Sequence, residues 1–179
     1  MIIRSGDTPL VSQVLSVDHA TRTIKALVSG ARPPSMGYTT LHVDGVRRNP
    51  YNVTDLMAKV TSSAFIISND RLAVTIDKSN GCIVSLRSDE TKSEMLAPNA
   101  CGNQLQTYAD NPKQYDAWNI DPGTLDGTMT SISKVDSVSL VETGILEVKV
   151  RIQRTWSKSH FIQDCLLYTS DAADDLTRV

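Results

Sequence analysis

Arg71-Leu72-Ala73-Val74-Thr75-Ile76, followed by Lys78-Ser79-Asn80-Gly81 and then Cys82-Ile83-Val84-Ser85-Leu86, is the stretch that decides the fold class. Leu72, Val74 and Ile76 fall on every second position, the period of a strand with one buried face. Asn80-Gly81 supplies the reversal, because both residues tolerate the positive φ that tight hairpin turns require. A two-stranded ribbon over residues 71–86 is therefore predicted.

The same pattern recurs outward from this ribbon. Residues 64–67 form a short apolar run before it. Lys149-Val150-Arg151-Ile152-Gln153-Arg154 alternates for six positions, which predicts one buried and one solvated face. Residues 135–141, 145–155 and 160–167 read as three strands, the first two joined at Glu142-Thr143-Gly144. Upstream, residues 11–17 and 23–28 flank a turn at 18–21, and a strand over 37–43 follows Pro33-Pro34, which cannot donate to a ladder. Residues 103–108 read as a strand running into a polar loop, 109–127. Short helical turns are expected only at 55–59 and 89–96, and residues 44–58 are the linker. With no sustained 3.6-residue period, the expectation is an all-β, antiparallel β-sandwich.

Composition narrows the function. The 179 residues carry 18 basic and 20 acidic side chains, a net charge of −2. No basic field exists to attract nucleic acid or anionic lipid, and no apolar run reaches the roughly 18 residues of a membrane span. MIIRSGDTPL lacks the layout of a secretory signal. Cys82, Cys101 and Cys165 are odd in number and widely spaced, so they are read as neither a zinc site nor a disulfide framework. A cytoplasmic chain is the expectation, although Asn52-Val53-Thr54 is a glycosylation sequon. The final stretch, CLLYTSDAADDLTRV, accounts for the whole net charge, and hydrophobic alternation stops after Leu167. It resembles the translation of a transposase-type sequencing adaptor. Residues 165–179 are accordingly expected to be a non-native tail.

His19, His42 and His160 stand apart, with none of the spacings that converge three ligands on a metal. Nucleophile motifs and phosphate-cradling loops are missing as well. One region looks chemical: Asn103, Gln104 and Gln106 on a strand, then Tyr108, Tyr115, Asp116, Trp118 and Asp121 in the loop. Sugars stack their C–H faces on flat rings, while carboxylates and amides bond neighbouring hydroxyls. Two acids can also serve glycoside hydrolysis. Equally, Asp-rich loops form Asx turns, and a lone tryptophan often anchors a β core. The residues alone leave both readings open. Trp156, Glu142 and Arg154 carry no functional reading.

Gly102-Asn103-Gln104-Leu105-Gln106, Tyr108-Ala109-Asp110-Asn111-Pro112 and Tyr115-Asp116-Ala117-Trp118-Asn119-Ile120-Asp121 together resemble the GNQLxLFxDxPxxxDAWDID signature of α-mannosidases in glycoside hydrolase family 38. Pro34-Ser35-Met36-Gly37-Tyr38 is similar to the family's P-x-x-GY step. Residues 69–86 are similar to its N-x-x-L-x-V-x-ID…G-x-I-x-SL ribbon, and Ser159-His160-Phe161-Ile162-Gln163 to its S-x-x-x-Q strand. The likeness spans about residues 10–164. Departures are Tyr108 for a phenylalanine, Ala109 for an acid, and Asn119 for the usual aspartate, which keeps the shape and loses the charge.

The resemblance implies a galactose-mutarotase-like supersandwich, incomplete in this chain: residues 1–60 would end a small β-domain and linker, and 61–164 would begin the large sandwich. It implies a retaining exo-α-mannosidase whose nucleophile and Zn²⁺ ligands lie in an upstream catalytic domain on which this part packs. Site residues implied here are Asn103, Gln104, Gln106, Tyr115, Asp116, Trp118 and Asp121, approaching an α-mannoside. The rival reading is a self-standing carbohydrate-binding or scaffolding sandwich.

Overall fold

The computed structural model describes residues 2–45, 54–115 and 118–169. In chain order the strands are β1 (Ile2–Ser5), β2 (Thr8–Asp18), β3 (Thr23–Ser29), β4 (Leu41–Asp44), β5 (Met57–Val60), β6 (Ala64–Ser68), β7 (Leu72–Asp77), β8 (Ile83–Ser88), β9 (Gln106–Thr107), β10 (Thr130–Ser131), β11 (Ser137–Thr143), β12 (Glu147–Trp156) and β13 (Ser159–Tyr168). Among the described residues they form sheets ordered β3-β2-β1-β4, β5-β6-β7-β8 and β11-β12-β13, with β9 and β10 as a small ribbon. All pairings are antiparallel.

The predicted ribbon is β7–β8, in register at Thr75↔Ser85 and Val74↔Leu86. Its turn is tied from within. Asp77 Oδ1 accepts from Ser79 N at 2.6 Å, and Gly81 N donates to Asp77 O at 2.8 Å. Gly81 sits at φ +69, where a Cβ would also lie 2.6 Å from Ile152 Cγ2. Only glycine satisfies both the dihedral and the space.

Two of these sheets face each other. Phe65, Ile67, Val74 and Ile76 from β6 and β7 meet Val148, Val150, Ile152 and Leu167 from β12 and β13, with Leu56 closing one end. Burying each such side chain contributes about 1.5–3 kcal/mol. The alternation predicted for residues 149–154 appears as buried Val150, Ile152 and Arg154 against half-buried Lys149, Arg151 and Gln153. Asn69 staples the two sheets: its Nδ2 donates to Tyr168 O at 2.8 Å while its Oδ1 accepts from Leu72 N and Arg71 N.

Gln13 of β2 joins the first sheet to this sandwich. Its Oε1 accepts from Leu146 N and Glu147 N, both at 2.8 Å, and its Nε2 donates to Glu142 Oε1 and Glu147 O. A Cβ on Gly144 would fall 2.0 Å from Gln13 Cδ.

Several expectations are corrected. The helical turn expected at 55–59 is instead strand β5, whose Met57 pairs with Ser68 and Val60 with Phe65. Residues 89–96 form turns and an isolated Arg87↔Glu94 bridge. They fold back because the Glu94 carboxylate accepts from Ser85 Oγ, Leu86 N and Leu96 N, which satisfies backbone groups a helix would otherwise use. The strand expected over 37–43 shortens to β4, and the strand over 103–108 to β9. Cys82 and Cys101 are joined in a disulfide with Cα atoms 5.0 Å apart, a pairing that the reading of no disulfide framework did not anticipate; their separation of 19 positions hid a contact that the β8 hairpin creates. Cys165 is free, and burial pushes its thiol pKa up. β13 passes position 165: Val148 faces Leu167, and Leu167 packs in the core. Residues 170–179 lie outside the described residues.

Candidate functional site

The candidate residues start where the Cys82–Cys101 disulfide ends. Gly102 N donates to Ile83 O at 2.9 Å, which lays the chain alongside the start of β8. Asn103 follows and faces inward. Its Oδ1 accepts from Ile83 N and its Nδ2 donates to Gly81 O, both at 2.9 Å. Asn103 is thus a fastener of the loop base.

The next side chains turn outward. Gln104 Nε2 donates to Ser131 Oγ at 2.9 Å, Gln106 Nε2 donates to Gln104 Oε1 at 2.9 Å, and Tyr108 OH reaches Gln106 Oε1 at 3.4 Å. The result is an exposed polar ladder beside the β9–β10 ribbon, held by the Thr130↔Thr107 and Ser131↔Gln106 pairs. Ser131 escapes any reading of spacing, since only the return of the chain in β10 brings it to Gln104.

Beyond the ladder, Tyr115 and Trp118 stand in solvent, 71% and 89% exposed. Trp118 is no core anchor. Tyr115 adopts φ +57, a left-handed conformation costing a non-glycine residue about 1–3 kcal/mol. Its carbonyl closes the turn by accepting from Trp118 N at 2.8 Å and Asn119 N at 3.3 Å. The Asn119 side chain, oriented to satisfy its neighbours, donates through its nitrogen to Tyr115 O at 2.8 Å and Gln114 O at 3.2 Å. A carboxylate could not make those donations. An amide at position 119 therefore suits this turn.

Asp121 is also structural: its Oδ2 accepts from Lys113 N at 2.7 Å and draws the two arms of the loop together. A hollow of about 330 Å³ lies there, lined by Ala109, Asn111, Lys113, Asp121, Pro122 and Thr124. Asp116 lies outside the described residues. The structure thus gathers Gln104, Gln106 and Tyr108 into one row, sets Tyr115 and Trp118 on an exposed turn, and assigns Asn103 and Asp121 to holding the loop.

The chain matches the family profile described as "Glycosyl hydrolases family 38 C-terminal domain" over residues 67–177. That is well over half its length, and it covers the ribbon, the disulfide, the whole candidate loop and β11–β13. The chain belongs to glycosyl hydrolase family 38. The β-sandwich is the expected architecture of this C-terminal domain, and the protein is part of a glycosidase, an enzyme class whose substrates are carbohydrates. The comparison with curated proteins finds no match.

Among the described residues no group of three His, Cys, Asp or Glu side chains could hold a metal ion. The resemblance places the zinc ligands in a domain outside this chain, and none of the chemistry below is routed through the ion. The carboxylates of the family 38 loop that are described include one, Asp121, already engaged by a backbone amide.

Proposed function

We propose that this domain belongs to a retaining exo-α-mannosidase and that its loop helps to wall the site of a terminal α-mannoside, while the reacting carboxylates lie in another domain. One observation carries the reading: the family-matched segment displays both a surface row of amides and a tyrosine hydroxyl and, further along the same loop, an exposed tryptophan. A rigid strand with exposed amides suits sugar hydroxyls, and an indole face suits the C–H face of the ring. Trp118 lies at the surface at no gain to the core, so its indole remains available to a ligand.

In such an enzyme the chemistry would pass through a covalent glycosyl-carboxylate intermediate. The role of this domain would be positioning: Gln104 and Gln106 hold hydroxyls, and Trp118 excludes water from one side of the ring. Asp116, placed between the two aromatics in sequence, is proposed as a further hydroxyl partner. In the enzyme carrying this domain, Asp116→Ala is expected to weaken aryl α-mannoside turnover at unchanged Tm. The 179-residue chain by itself is expected to hydrolyse no aryl α-mannoside above a mock preparation, and activity there would place the reacting carboxylates in this domain after all.

The closed core over Ile76, Val150 and Ile152 also suits the rival, a sandwich that binds sugar with no catalytic partner. Saturable mannoside binding by the chain alone would favour that reading.

A further inference from the structure

Among the described residues Arg154 is the largest fully buried side chain, 1% exposed. It occupies the last core-facing position of β12, after Val150 and Ile152. Among the described residues no carboxylate pairs with it, and its Nε has no partner. Burial pushes its pKa down from the ordinary guanidinium value. A buried cation with no counter-charge is a poor stabiliser, and well-packed apolar side chains commonly replace such groups at no loss. Its placement calls for another account.

Its hydrogen bonds supply one. Nη2 donates to Asn80 O at 2.9 Å, and Nη1 donates to Gln163 Oε1. Gln163 Nε2 in turn reaches Asn103 O at 3.4 Å. Asn103 closes the ring through Gly81 O and Ile83 N. The Cys101 sulfur, bonded to Cys82, lies 3.6 Å from Asn103 Oδ1. The guanidinium thus sits beneath the β7–β8 turn and spans to β13, and the partners of its two hydrogen bonds, Gln163 and the Asn80–Gly81 turn, both lead to Asn103. A planar fork with several fixed donors can hold two oxygens at once, which a lysine ammonium on a flexible stem does poorly.

We propose that Arg154 is a positioning residue: through Gln163 and the Asn80–Gly81 turn it fixes Asn103, and with it the outward-facing Gln104 and Gln106, as a tie independent of the disulfide. That the amides face sugar is the reading given above, on which the functional meaning of this tie rests. A residue that merely fills the core would, when replaced, loosen the sandwich as a whole. A tie would loosen the loop base alone.

The test is amide hydrogen exchange on the 179-residue chain, oxidised and after reduction with dithiothreitol, in Arg154→Met, Arg154→Lys and Gln163→Leu. In the reduced methionine and leucine variants, exchange at Ile83 and Gly102 is expected to quicken about tenfold or more, while Val74 and Val150 stay within about twofold. The oxidised forms should show the same change, smaller, and lysine should rescue only part of it. Gln163→Leu breaks the ring while leaving the Arg154 site filled, so a failure of Arg154→Met to fold does not remove the test. Unchanged exchange at Ile83 and Gly102 in the reduced variants, or acceleration matched by the core amides, overturns the assignment whatever the kinetics. Local loosening together with unaltered mannoside turnover in the parent enzyme would instead keep the tie and discard the sugar reading.

Discussion

β12 and the loop from Gln104 to Asp121 use polar side chains in opposite ways. Along β12, Glu147 pairs with Lys149 at 2.8 Å and Arg151 meets Asp164 at 2.7 and 2.8 Å. Even the most deeply buried of its charged groups, Arg154, is bonded to neighbouring strands or turns. Along the described part of the loop, Thr107, Asp121 and the Asn119 amide serve the backbone; Gln104 and Gln106 bond each other and the Ser131 hydroxyl at the surface, and Trp118 stands in solvent. The strand spends its polar groups on being a strand. The loop displays them, which is what a binding surface requires.

That contrast can be broken at several points. The largest effect belongs to the core: Ile152→Ala, at a fully buried position under Gly81, should cost about 2–5 kcal/mol in denaturant unfolding. A loss under 1 kcal/mol would mean the two sheets are not packed as described. Replacing both Cys82 and Cys101 by alanine should cost about 3 kcal/mol, as expected for a closed segment of this size, with thermal melting of oxidised and variant chains as the measure. Asn103→Ala should cost about 1–3 kcal/mol, because it strands the part-buried Ile83 N–H and the Gly81 C=O. An Asn103 acting chiefly on ligand would leave stability unchanged.

A smaller, pH-dependent effect marks the region between. Hydrogen bonds from Ser85, and then from Leu96 and Leu86, hold the Glu94 pKa down to about 2 from its ordinary 4.5. A depressed folded-state value favours the fold above the unfolded-state pKa, so this contribution should fade as pH falls from about 4.5 to about 2. The Tm gap between the parent chain and Glu94→Gln should narrow across that window; a constant gap would deny the carboxylate its role. Smallest of all, Trp118→Ala should shift stability by no more than about 0.5 kcal/mol.

Much of the sandwich was readable because its strands carry a strict two-residue period. Leu72, Val74 and Ile76, and Val150 and Ile152, announce both the strands and their buried faces. Residues 55–59 and 89–96 misled for a physical reason: helical spacing over one turn is a weak signal, and β6 and Glu94 supplied stronger partners. The disulfide was illegible because it depends on the hairpin that carries Cys82 back toward Cys101. Within the site, residue types identified the region but not the division of labour. Asn103 and Gln104 are adjacent amides, yet one faces the ribbon and the other solvent, an alternation fixed by the disulfide and by Gly102 on Ile83. Arg154 gave a mixed sign. Its parity with Val150 and Ile152 puts it on the core-facing side of β12, while its charge reads as a surface group; the β7–β8 turn, whose Asn80 O accepts from it, accounts for its burial.

The most direct test of the displayed loop is the kinetics of Trp118→Ala in the glycosidase carrying this domain, with an aryl α-mannoside, the proposed substrate class. The account predicts a fall in kcat/KM of about tenfold or more, corresponding to about 1.4 kcal/mol of lost transition-state binding, at an unchanged Tm. Equal kcat/KM for the two proteins would contradict it.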